Sequence, residues 1–192
     1  MTSKVLEPTV EDTKKLDRVL KYLNKFRHLG IGLSSLNGFK IFGYVDVSFA
    51  SDKDFKSRTG VTITLGNGPV YIDSTRQKLN TKSSTEAELV GVSDGSNNVL
   101  WLRNFLIEQG YRMEAAKVYQ DNQSTLALLE KGYSTNKRTR HINIRYFYLK
   151  NKVEEGEIVL EYMPTEEMIA DVLTKPLQGE KFIQLRDSLL NW

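Results

Sequence analysis

The chain has 192 residues, 40% of them hydrophobic, which is enough for one domain with a real core and too little for two large ones. It has no cysteine and only two histidines, His28 and His141, so disulfides, thiolate metal sites and a typical zinc site are excluded, and any metal must be a hard cation held by oxygen. Net charge is +3, so the distribution of charge matters more than its total. No apolar run reaches membrane-spanning length, residues 1–15 do not read as a signal peptide, and the lack of cysteine fits an intracellular protein.

The first element predicted is a helix. Thr9 with Asp12 resembles a capping box, and Leu16, Val19, Leu20, Leu23 and Phe26 recur at helical spacing before Gly30. Residues 30–38 read as a loop. Residues 39–49 alternate as a strand, 60–65 form a second, and Gly66-Asn67-Gly68 turns into a third over 70–73. A long helix follows from Ser84 to about residue 109, with Ser83 and Glu86 as a second capping box and Gly110 as its stop. Gly91 and Gly95 within it mark close packing. Then come a strand at 117–120, helices around 124–130 and over 137–153, a strand at 157–162, a short helix over 165–174 and a last helix over 181–190. A meander followed by alternating α and β predicts a mixed five-stranded sheet, three strands antiparallel and two parallel, with helices on both faces. Functional groups in such sheets gather at strand ends and helix starts.

Four of the 24 acidic residues sit in unusual places. Asp46 lies inside an apolar strand, Glu86 opens the long helix, Asp121 ends a short strand, and Asp171 lies in a mostly apolar helical stretch. A charge on an apolar element costs energy unless it is paired or metal-bound. Singly, each has a structural reading: Glu86 as a capping acid, Asp121 as the cap of the next helix, Asp46 and Asp171 as salt-bridge partners. Together they suit two Mg²⁺ ions at one sheet edge, arranged for in-line phosphoryl transfer.

Six motifs carry a family resemblance: GYVDVSFASD (43–52), QKLNTKSSTEAEL (77–89), VLWLRNFLIEQG (99–110), YQDNQS (119–124), NKRTRHINIRYFYLK (136–150) and PTEEMIADVLTKPL (164–177). In this order they resemble the ribonuclease H domain of a copia-type (Pseudoviridae) LTR-retrotransposon polyprotein. The resemblance implies a ribonuclease H-like α/β fold over 39–178. It places the end of the preceding reverse transcriptase in 1–38 and a helical tail in 179–192. It implies catalytic and metal-binding roles for Asp46, Glu86, Asp121 and Asp171, two Mg²⁺ ions with Mn²⁺ as a substitute, and the reverse transcriptase of the same polyprotein as a partner. For an active element it implies a cytoplasmic virus-like particle. Cellular and retroviral ribonucleases H often carry a histidine in the loop before the last aspartate; here that loop holds Glu166 and Glu167 instead.

No acid lies between Glu130 and Glu154, while Lys131, Lys137, Arg138, Arg140, Arg145, Lys150 and Lys152 do. Phosphate contact is the functional reading of that run and a solvated face the structural one. Arg138, Arg140, His141 and Arg145 are the candidates there. Ser48, Ser83, Ser84, Asn122, Gln123 and Ser124 flank the acids and are the candidates for reading the 2′-hydroxyls of a hybrid. The leading expectation is cleavage of the RNA strand of RNA–DNA hybrids. The alternatives are a catalytically inactive nucleic-acid-binding or structural module that supports the polymerase, and a related DDE-type transferase, which the TEAE and ADVLTKPL contexts disfavour.

Overall fold

The structure, a computed structural model, describes residues 6–34, 38–52, 54–131 and 140–191. The elements in order are α1 (Val10–Lys25), β1 (Ile41–Ser48), β2 (Arg58–Leu65), β3 (Pro69–Arg76), α2 (Ser84–Glu108), β4 (Ala116–Gln120), α3 (Gln123–Lys131), α4 (Arg140–Glu154), β5 (Ile158–Tyr162), α5 (Asp171–Thr174) and α6 (Gly179–Leu190). The five strands form one sheet in the order β3-β2-β1-β4-β5. β1, β2 and β3 pair antiparallel, and β1, β4 and β5 pair parallel. This is the mixed sheet that the order of elements predicted.

The stripe of α2 that meets the sheet explains its glycines. A Cβ on Gly91 would stand 2.4 Å from Val47 Cγ2, and one on Gly95 would stand 2.8 Å from Val45 Cγ2. Farther along, Val99 fills the space that a side chain at Gly43 of β1 would need. Residues 91, 95 and 99 therefore lie against β1, with spacing that keeps them on one side of a helix. Val45, Val61, Ile63, Leu89, Val92, Val99 and Val118 fill the core between them, and Ile142, Tyr146 and Leu149 of α4 close it from outside. On the other face of the sheet, Tyr44 packs against Ile169, Leu185 and Leu189. Gly91→Ala should test the close approach. Helix propensity alone would favour alanine by up to about 1 kcal/mol. Overpacking against Val47 should outweigh that gain, leaving a net loss of about 1–3 kcal/mol in denaturant unfolding.

Four expectations change. The third strand runs on to Arg76, because it is an edge strand whose outer positions can be polar. The helix expected over 165–174 is helical only at Asp171–Thr174. Before it the chain makes successive three-residue turns, Glu167 N–H to Pro164 O at 2.9 Å and Asp171 N–H to Met168 O at 3.0 Å. At the helix start, Ser83 accepts from Glu86 N–H, but the Glu86 carboxylate turns to Lys82 N–H at 2.8 Å, so the second capping box is only half made. The first capping box is complete, yet α1 buries no residue. It touches the remainder through its C-terminal end, where Arg186 of α6 lies 4.9 Å from the Phe26 ring and Tyr22 packs on Phe182.

Candidate metal centre

β1 and β4 are adjacent and parallel, with Tyr44 opposite Tyr119. Two residues further along each strand stand Asp46 and Asp121, so the register alone brings these acids level at the C-terminal ends of neighbouring strands. Carboxylate oxygens of Asp46, Glu88 and Asp121 all lie within 4.8 Å of one another. Asp171, at the start of α5, is fully buried and is linked to Asp46 through Lys175, outside the group of three.

The glutamate of this group is Glu88, which corrects the assignment of that place to Glu86. The two residues are separated by roughly 200° around the helix axis. Glu88 precedes Gly91 and Gly95 by three and seven residues, so it belongs to the stripe that faces β1, and it is 6% exposed. Glu86 falls outside that stripe and caps the chain entering the helix. The spacing to the two glycines was a signal in the sequence that identifies Glu88.

Burial and the neighbouring Asp46 push the Glu88 carboxyl up to about 9. Burial also raises Asp46, against the opposing pull of the Thr174 hydroxyl and the Lys175 ammonium. Gln120 had no place in the sequence reading. It is fully buried, donates through Nε2 to Glu88 Oε2 at 2.9 Å, and accepts through Oε1 from Asp121 N–H at 2.7 Å and Asn122 N–H at 3.2 Å. One amide thus ties the helix acid to the turn that carries Asp121. Thr165 donates to Asp121 Oδ2 at 2.9 Å, and Thr174 donates to Asp46 Oδ2. Lys175, also missed, bridges Asp46 and Asp171, with Nζ at 3.2 and 2.6 Å from their Oδ1 atoms.

The donor set fits a hard divalent cation. All donors are carboxylate oxygens, and among the described residues no ion pair reaches Glu88 or Asp121. Buried acids drawn together at such a cost in repulsion are what a metal relieves.

The other candidates scatter more. Ser48 ends β1 beside Asp46, Ser83 caps α2, and Asn122 caps α3 by accepting from Thr125 N–H at 3.0 Å. Ser84, Gln123 and Ser124 are exposed at the same helix starts. Arg145 lies 3.5 Å from Asp94 of α2. Arg138 lies outside the described residues, as do the side chains of Arg140 and His141. Tyr146 packs into the core, while Phe147 is exposed. Glu166 and Glu167 are exposed.

No protein-family model matches the chain. Individual proteins do. The chain is 34% identical over 177 residues to the retrovirus-related Pol polyprotein from transposon RE1 of Arabidopsis thaliana, an overlap of 91% of this chain and 12% of that polyprotein. It is 35% identical over 141 residues to the corresponding polyprotein from transposon TNT 1-94 of Nicotiana tabacum, covering 73% of this chain and 10% of that one. The chain belongs to the copia-type retrotransposon Pol polyproteins. It spans about an eighth of the length of these relatives. Among solved structures it is similar to LC11 ribonuclease H1 from compost, with a TM-score of 0.54 and 19% identity over 70% of this chain and 92% of that one. It is also similar to the N-terminal ribonuclease H domain of a Mycobacterium tuberculosis protein, with a TM-score of 0.51 and 12% identity over 79% and 99%. The Pol segment has the ribonuclease H fold. No described helix of it is long and apolar enough to cross a membrane.

Proposed function

We propose that this Pol segment is a Mg²⁺-dependent endonuclease that hydrolyses the RNA strand of RNA–DNA hybrids, leaving 3′-hydroxyl and 5′-phosphate ends. The observation that carries the reading is the convergence of Asp46, Glu88 and Asp121 within 4.8 Å at the ends of adjacent parallel strands in a ribonuclease H fold. A solved structure of similar fold is named as a ribonuclease H1, and the relatives are Pol polyproteins of transposons.

In this mechanism Asp46, Glu88 and Asp121 would hold one ion, and Asp46 with Asp171 would hold a second. Mg²⁺ held there would activate water and offset charge on the phosphoryl group. The chain supplies position. Gln120 fixes the Glu88 carboxylate relative to Asp121, while Thr165 and Thr174 each hold one aspartate oxygen in place. Asp46 is central because it lies within 4.8 Å of Glu88 and Asp121 and shares Lys175 with Asp171. Ser48, Ser83, Ser84, Asn122, Gln123 and Ser124 flank the acids in sequence, and on this reading they would meet the minor groove and its 2′-hydroxyls. The Arg138–Arg145 segment would meet phosphates. On the same reading residues 39–178 are the catalytic domain, and the reverse transcriptase of the same polyprotein is its neighbour and partner.

A labelled hybrid tests the proposal, with duplex DNA and duplex RNA beside it. Mg²⁺ or Mn²⁺ should support cleavage of the RNA strand of the hybrid alone. Ca²⁺ should allow binding with little cleavage, because it takes more ligands at longer distances and spoils the in-line geometry. Full cleavage in chelator, or binding without cleavage in Mg²⁺, would overturn it.

A further inference from the structure

We infer that Lys175 is a built-in counter-cation of the metal centre. It holds the Asp46–Asp171 half of the site in the metal-free chain, and a divalent ion must displace it to load that half. The inference rests on the reading of these acids as a metal site and names a control within it. Asp46 and Asp171 present four carboxylate oxygens, and each has a partner. Lys175 Nζ takes Oδ1 of both, Thr174 takes Oδ2 of Asp46, and Lys181 takes Oδ2 of Asp171 at 3.4 Å. An ammonium 2.6 and 3.2 Å from the two inner oxygens leaves no space for an ion that needs ligands at about 2.1 Å. Glu88 and Asp121, by contrast, have neutral partners, Gln120 and Thr165. Lys175 therefore fills the space between Asp46 and Asp171, while Glu88 and Asp121 carry no ammonium among the described residues.

The backbone explains how Lys175 can do both tasks. Its N–H bonds to Asp171 O at 2.9 Å, so its Cα is fixed one helical turn beyond that acid. Its side chain remains 34% exposed, and it reaches the acids from the rim on a flexible four-carbon stem that can swing out to water. A fixed base with a free arm suits a cation that fills the site and then yields it. The Mg²⁺ concentration needed to load the Asp46–Asp171 pair should consequently be set by release of Lys175.

The test reads metal binding without reference to cleavage. Lys175→Met should lower the melting temperature in chelator, because Asp46 and Asp171 lose their shared cation. It should also lower the Mg²⁺ concentration at the midpoint of the thermal shift by at least about fivefold, the smaller end of typical coupling between two ligands. An unchanged or higher midpoint would overturn the inference. The original chain provides a second measurement that needs no variant. Reductive methylation of Lys175 Nζ, quantified by mass spectrometry, should be slow in chelator and several-fold faster in saturating Mg²⁺. Labelling that is equal or slower with Mg²⁺ would overturn the inference in the same way. Hybrid cleavage is scored separately: an original chain that loads Mg²⁺ and frees Lys175 but does not cut refutes the nuclease reading and leaves the role of Lys175 standing.

Discussion

Glu88→Gln is expected to abolish hybrid cleavage, while Glu86→Gln leaves it essentially unchanged. The amide at 88 keeps the volume of the side chain and its contact with Gln120, but it is a neutral and poorer ligand for a hard cation. Losing that ligand forfeits several kcal/mol of transition-state charge stabilisation, so the rate should fall by at least about 1,000-fold. The Glu86 carboxylate accepts from the backbone N–H of Lys82 ahead of the helix. Glutamine there can still accept that hydrogen bond and loses only the favourable charge at the helix start, a cost of about 0.3–1 kcal/mol in stability. Initial rates in saturating Mg²⁺, with a melting curve for each variant, decide between the two glutamates. A dead Glu86→Gln beside an active Glu88→Gln would return the role to Glu86 and remove Glu88 from the metal centre.

The confusion of these two acids shows what the sequence carries and what it withholds. The order of strands was legible because each strand has its own texture and the turn at 66–68 can only reverse the chain. Asp46 and Asp121 were legible because strand position fixes them: both stand at the same end of parallel neighbours. Glu86 and Glu88 differ only by helical phase, and that phase is set by which stripe packs on β1. The stripe is written in Gly91 and Gly95, whose meaning depends on Val47 and Val45, far earlier in the chain, pressing against them. A capping pattern at Ser83 drew attention to the acid three residues on, and the cap is real but belongs to the helix end. Gln120 and Lys175 were hidden for a related reason. A polar residue before an aspartate and a lysine after a short helix have no distinctive local chemistry, and only the approach of β4 to α2 and of α5 to β1 gives them partners. The apolar residues of α1 recur at helical spacing, yet Leu16, Leu20 and Leu23 are all exposed.

The metal-free chain should lose stability as pH rises from about 5 to 9, and Mg²⁺ should reverse that trend. Glu88 is pushed up to about 9 by burial and by Asp46, and Asp46 is itself raised by burial. In the unfolded chain both titrate near the ordinary carboxylate value of about 4. Between that value and the folded one the native state binds more protons than the unfolded state, so the derivative of unfolding free energy with pH is negative. The contribution of Glu88 is therefore complete below its unfolded pKa and is lost progressively as pH rises towards 9. Mg²⁺ requires the deprotonated carboxylates, so its stabilisation grows over the same interval. Glu88→Gln separates this group from every other titration in the chain. In chelator the variant should be more stable than the original at pH 8 by about 1–3 kcal/mol, the ordinary scale of a point change. The difference between the two should shrink as pH is lowered towards 5. The Mg²⁺-induced rise in melting temperature should be smaller in the variant at every pH. If Glu88 were instead an ionised partner of Lys175 at neutral pH, removing its charge would strand part of a buried ion pair and cost stability. A variant less stable than the original in chelator at pH 8, with the gap widening as pH rises, would establish that case and contradict the repulsion on which the metal centre is built.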